Sequence, residues 1–248
     1  MDEKSRAARW GGRIGILAIL LLIASITANH LGLLGYELPL AGIALAALLG
    51  VIALVVSLVG LIAVLRGKHG GVAAILGVAL GVIAAVPVGS TLVLGRGVPR
   101  IHDITTDLAN PPQFVLVVPL RNGAPNSLDR STPPDLAEQQ KKAYPDLVTL
   151  TVAEQPGKVY VAALETVKDM GWTLDGSTPE KGLIEATAVT KLIGFKDDVA
   201  IRIVEKDGGT AVDVRSVSRV GMSDLGANAK RIRGFLGALS ARVAAQRS

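Results

Sequence analysis

Three apolar stretches constrain this chain more than anything else in it: about Ile14–Leu34, Leu38–Leu65 and Gly71–Leu94. Each is long enough to cross a hydrocarbon core, which takes about 20 helical residues at 1.5 Å each. A bilayer offers no water to backbone N–H and C=O groups, so stretches like these must be helices. The first starts on basic residues, as a secretory signal does, and is interrupted by Asn29 and His30. No good small-x-small cleavage site follows it, so it reads as a retained helix. Residues 1–95 are therefore expected to be a transmembrane anchor of about three helices, with the lipid bilayer as partner.

Orientation follows from the basic residues. Lys4, Arg6, Arg9 and Arg13 precede the first span, and Arg66, Lys68 and His69 separate the second from the third. The connection Asn29–Glu37 holds no Lys or Arg. The positive-inside rule then places the N-terminus and the second turn in the cytoplasm, and everything after Gly95 outside a bacterial inner membrane. Losing the first span as a signal would leave that outcome unchanged.

Small residues recur every fourth position as Gly42, Ala46 and Gly50, and again as Ala73, Gly77, Gly81, Ala85 and Gly89. Such stripes let backbones approach closely, within the chain or in a homo-oligomer. A transport path would call for ionisable groups in mid-span, and no Asp, Glu, Lys or Arg interrupts the three stretches. An accessory subunit of a transporter stays open as a weaker reading.

Beyond Gly95 charged residues recur every few positions, and roughly 150 residues remain, enough for one core without metal or disulfide. The positive mean hydropathy of +0.46 thus belongs to the first part alone. There is no cysteine, which removes disulfides, thiol catalysis and cysteine metal sites. The net charge of +5 owes much to the N-terminal tail and the second turn. The broad basic face that nucleic acid needs is missing, so no nucleic-acid partner is expected.

Residues 96–157 form a proline-rich polar segment, in which Phe114–Val118 reads as a strand and Leu136–Ala143 as a short helix. Residues 158–248 form the core of an α+β domain. Val159, Ala163, Val167 and Met170 share a helical face that Gly171 stops. Trp172–Leu174 and Leu183–Thr190 read as strands. Val199, Ile201 and Ile203 alternate with Ala200, Arg202 and Val204; Asp207-Gly208-Gly209 turns the chain, and Ala211–Ser218 alternates back, which is a hairpin. A last helix, with Ser223 as N-cap and Asp224 in its first turn, closes the domain. The expected fold is an antiparallel sheet of about four or five strands with helices packed on one face.

Two stretches resemble a known family. One is Ile101-His102-Asp103-Ile104-Thr105-Thr106-Asp107 followed by Asn110-Pro111-Pro112-Gln113-Phe114. The other starts at Gly194-Phe195-Lys196-Asp197-Asp198-Val199, continues through Val212-Asp213-Val214-Arg215-Ser216, and ends in Ser218-Arg219-Val220-Gly221-Met222-Ser223-Asp224-Leu225-Gly226, Asn228 and Arg231-Ile232. They look like the motifs of domain-of-unknown-function family 1499, bacterial and plastid proteins often attached to membrane helices. The resemblance covers nearly all of the soluble half and implies no established activity. Many relatives carry a Pro-Asn-Cys segment; Pro125-Asn126-Ser127 corresponds to it without the cysteine, so no role of that thiol carries over.

Two sets of polar residues are candidates for a site. Arg202, Asp213, Arg215 and Arg219 have the parity to share one face of the hairpin. With Asp197, Asp198, Ser223, Asp224, Asn228 and Arg231 they would form a patch for a small anionic or hydroxylated ligand or an envelope protein, arginines acting as fork-shaped donors. The competing reading is ion pairs on a solvated face plus a helix cap, worth under about 1 kcal/mol each. The second set is His102, Asp103 and Asp107, where a histidine beside carboxylates could act as a base. A hydrolase built from His102 with an acid and Ser216, Ser218 or Ser223 is the enzymatic alternative. It lacks a Gly-x-Ser-x-Gly elbow, and no metal-ligand spacing, Walker motif or dinucleotide motif is present. Neither a cofactor nor a metal is expected. A non-enzymatic binding or scaffolding module is the leading expectation.

Overall fold

A computed structural model describes residues 3–130, 133–191 and 193–246. It forms two compact units whose main boundary lies between Arg96 and Gly97.

The first unit is a bundle of α1 (Arg6–His30), α2 (Glu37–Leu65) and α3 (Gly71–Leu94), all three long and apolar enough to cross a membrane. α1 begins a full two turns before the apolar stretch does. Ser5 accepts the Ala8 N–H at 3.2 Å and so caps a helix whose first turns carry Arg6, Arg9 and Arg13. The outward Leu, Ile and Val side chains are exposed, as a lipid-facing surface requires, and the contacts between helices are made by small residues. Gly50 and Gly81 meet backbone to backbone: a Cβ on Gly81 would lie 2.6 Å from the Gly50 carbonyl oxygen. The two stripes therefore pack α2 on α3 within the chain at this crossing. Gly81→Leu is expected to force the helices apart and cost about 1–3 kcal/mol or more. SDS titration of the detergent-solubilised chain, read by protease sensitivity of the α2–α3 connection, would show an earlier midpoint; an unchanged midpoint would mean the two glycines do not touch.

The second unit is α+β. Its strands are β1 (Asp103–Thr105), β2 (Leu150–Val152), β3 (Thr173–Thr178), β4 (Leu183–Val189), β5 (Lys196–Lys206) and β6 (Gly209–Ser218). They make one antiparallel six-stranded sheet in the order β1-β6-β5-β4-β3, with β2 also paired to β6. The expected β5–β6 hairpin forms, with Arg202 opposite Asp213 and Ala200 opposite Arg215. Its turn puts Asp207 and Gly208 at φ 52° and 76°, the paired left-handed conformation that a two-residue hairpin turn demands.

α5 (Pro156–Asp169) and α6 (Ala227–Ala245) cover one sheet face. Val159, Ala163 and Val167 from α5, and Ile232, Phe235, Leu239 and Val243 from α6, bury against Ile184, Ile201, Ile203, Val212 and Val214. α4 (Leu136–Ala143) lies where the sequence places it, and its Gln140 side chain bonds both the N–H and the C=O of Thr105, continuing the β1 edge.

Two expectations fail here. Ser223 is not the N-cap of α6: the helix begins at Ala227, and the Asp224 carboxylate accepts the N–H groups of Gly226 and Asn228, both at 2.8 Å. Phe114–Val118 is not a strand. The N–H groups of Val115, Leu116 and Val117 converge on the carboxylate of Glu185 at 2.7, 3.1 and 2.8 Å, which leaves them no ladder to join.

Candidate functional site

Strand parity sends the hairpin residues of the first candidate set to both faces of the sheet. Asp198, Arg202, Asp213, Arg215 and Arg219 lie on the face away from the helices. Asp197 belongs to the opposite face, beside the start of α6, where Arg231 meets it. Consecutive residues of a strand point to opposite sides, so Asp197 and Asp198 could never have shared one patch.

On the helix-covered side, Arg231 donates to Asp197 at 2.5 Å and to Ser216 at 3.0 Å, and bonds Asn228 as well. Asn228 also donates to the His102 carbonyl and the Ser218 hydroxyl. Asp224 is half-buried nearby; that burial, with the charge of Asp197 behind it, pushes its carboxyl above the usual range against the two N–H groups that it caps. Ser223 bonds the Pro99 carbonyl at the edge of the same cluster.

The opposite face carries three arginine–carboxylate groups in a row. At one end Arg202 bridges Asp213 and Asp107, both at 2.8 Å, while Thr106 and Thr149 donate to Asp213. The N–H groups of Asn110 and Ala109 and the Arg202 guanidinium hold the Asp107 carboxyl below its ordinary range, outweighing the opposing effect of its burial. In the middle Arg215, 1% exposed, grips Asp103 through Nε at 3.1 Å and Nη2 at 2.8 Å. It also donates to the carbonyls of Pro112 and Leu128, and its guanidinium lies 5.0 Å from the centre of the Phe114 ring. At the far end Asp198, wholly buried, accepts from Arg121, Arg219 and Thr187. The pairs are ion pairs, as the plainer reading of the sequence has it, but those of Asp103 and Asp198 are buried, and the Arg202–Asp107 pair at the end is partly open to solvent. They pin the irregular segment between Thr106 and Arg130 across the sheet, with Phe114 and Val117 packed on Ala200 and Val217.

The two candidate sets are thereby joined, since Asp103 and Asp107 are the partners of Arg215 and Arg202. His102 goes elsewhere. It lines a cleft of about 260 Å³ with Asp103, Asn126, Ser127, Asp129 and Arg130, and its ring makes no hydrogen bond among the described residues. A second cleft, of about 310 Å³, shares Asp129 and Arg130 and is completed by Leu108, Pro111, Gln113, Leu128, Pro134, Ala137, Leu136 and Arg215. Ser216 and Ser218 are taken by Asn228, and Ser223 by Pro99, so none of the three joins a relay with His102. Among the described residues no three His, Asp or Glu side chains gather as metal ligands.

Sequence reasoning missed Arg121, Arg130 and Glu185. Only Glu185 had a local signal, as a lone charge in the apolar run Leu183–Val189. The two arginines come from loops, and nothing nearby in sequence announces that they reach buried carboxylates.

No curated protein matches the chain. The model of a family described as "Protein of unknown function (DUF1499)" matches residues 103–239, which run from Asp103 of the middle ion pair through most of α6 and include the whole paired face. Those residues are more than half of the 248 in the chain, which therefore belongs to the DUF1499 family.

Proposed function

We propose that this is a bacterial inner-membrane protein whose second unit acts outside the cytoplasm as a non-enzymatic binding module. Export is supported by the asymmetry of basic residues: Arg6, Arg9 and Arg13 stand at the start of α1 and Arg66 and Lys68 between α2 and α3, while the α1–α2 connection has none. The observation that carries the binding reading is the pair of small clefts sharing Asp129 and Arg130, at the margin of a face whose other charges are spent on each other. Internally paired arginines and carboxylates make a rigid frame. They do not make a poised acid and base, whose pKa values have to be pushed apart. The clefts suit a small anionic or hydroxylated group. A hydrolase built on His102 has less support, because catalysis needs the ring oriented by a partner and the ring has none among the described residues.

The absence of cysteine makes sidedness easy to test. Met222 is 75% exposed, so Met222→Cys gives a single reactive thiol on the second unit. A membrane-impermeant maleimide should label it in intact spheroplasts, whereas Lys68→Cys should react only after lysis. The reverse pattern would overturn export.

A further inference from the structure

Among the described residues one guanidinium on the paired face, that of Arg130, has a buried nitrogen left without an acceptor. Arg130 has φ of 54°, an unusual backbone conformation for a residue with a long side chain. Its Nη1 donates to the Asp103 carboxylate at 2.5 Å and to the Asp103 carbonyl at 3.2 Å. Its Nη2 is buried and meets no acceptor among the described residues. A buried donor left unpaired is costly, and more so on a charged group.

Charge counting points the same way. The Asp103 carboxylate, 4% exposed, is already gripped by two nitrogens of Arg215, so two cations share one buried anion. Burial, and the nearness of Arg215, hold the Arg130 guanidinium below its ordinary pKa despite the attraction of Asp103. The Asp198 cluster also sets two arginines against one carboxylate. There, however, Arg121 and Arg219 spend further donors on the carbonyls of Asn126 and Leu120, and Asp175 stands close by. The Asp103 cluster, by contrast, borders open space through Arg130, which is in the wall of both clefts.

We infer that Arg130 anchors an oxyanion, a single carboxylate or phosphate group, in the cleft it lines with Arg215 and Gln113. Leu108, Pro111, Leu128 and Ala137 line the remainder of that cleft and take a short apolar body attached to the anion. Asp129, exposed on the rim of both clefts, repels further negative charge and limits the ligand to one anionic group. The inference rests on the binding-module reading and names the ligand class for it.

The test uses the full chain in non-ionic detergent with Trp10→Phe, so that Trp172 alone reports unfolding. Inorganic phosphate and acetate are each titrated against chloride of matched ionic strength. One of the two should raise the melting temperature saturably. Arg130→Gln should weaken that titration about tenfold or more, since a charge-assisted bond is lost, and Asp129→Asn should tighten it. Ala137→Trp keeps every charge and fills the cleft from the surface of α4, so it should abolish the response and decides the matter if Arg130→Gln does not fold. No saturable response in the parent chain, an Arg130→Gln midpoint equal to the parent's, or an unaffected Ala137→Trp each overturns the anion site. If the Met222→Cys thiol is labelled from outside while no anion binds, the site fails and the exported module stands; anion binding with cytoplasmic labelling is the opposite outcome.

Discussion

Asp198→Ala is expected to unfold the second unit, or bring it close to unfolding, at ordinary temperature. The carboxylate is 0% exposed and is the shared acceptor of Arg121 and Arg219, whose side chains are 6% and 14% exposed. Removing it strands two guanidiniums where water reaches them poorly. Breaking a buried pair by deleting one partner costs about 3–5 kcal/mol, and here two cations lose the same anion and are left to repel each other. A domain of this size has a net stability of about 5–15 kcal/mol. Trp172, stacked on Phe235 with ring centroids 5.7 Å apart, sits in the helix-side core and loses that environment on unfolding. In the Trp10→Phe background its fluorescence should report a melting temperature many degrees below that of the parent. Asp198→Asn, which keeps the shape and one acceptor oxygen, should fall between the two. An alanine variant that melts within about 1 kcal/mol of the parent would mean that the arginines find water or carbonyls instead, and that Asp198 is not the node of the cluster.

How much of this was legible follows from how local each signal is. α2 and α3 were readable nearly to the residue, because a span of about 20 apolar residues has only one backbone solution in lipid. The β5–β6 hairpin was readable because alternation and the Asp207-Gly208 turn are both contained within a short segment. α1 was misjudged at its start, since a cap at Ser5 extends a helix through basic residues that carry no apolar signal. β1 and β2 went unread: three residues each, they become strands only because β6 offers them an edge. Parity placed Arg202, Asp213, Arg215 and Arg219 together, and the structure does the same. Adding Asp197, Asn228 and Arg231 to that group ignored the alternation that the hairpin itself displays. The partners that turn a row of charges into buried clusters, Arg121 and Arg130, lie far from the hairpin in the chain, and no periodicity reaches across that distance.

Glu185 shows what a local signal can say when it is heeded. A carboxylate in the middle of an apolar strand, on the face opposite Ile184 and Ala186, must find donors or stay neutral. It finds three in succession, the N–H groups of Val115, Leu116 and Val117, and the side chain is wholly buried. These bonds bend Phe114–Val118 away from the strand its composition favours. They also set the 3-10 turn Val118–Arg121, which carries Arg121 to Asp198. Glu185→Leu removes the charge and the acceptor together and leaves those N–H groups unsatisfied at a cost of about 1–3 kcal/mol each where they are buried. The expected result is a loss second only to that of Asp198→Ala, with a distinguishing signature: the segment from Phe114 to Arg121 should lose protection from amide exchange at Val115, Leu116 and Val117 before the β5–β6 hairpin does. Glu185→Gln keeps one acceptor oxygen and the volume, and should retain part of that protection. If the three amides exchange as slowly in Glu185→Leu as in the parent, the carboxylate is not what shapes the segment, and the coupling from Glu185 through the turn to the Arg121–Asp198 pair is broken at its first step.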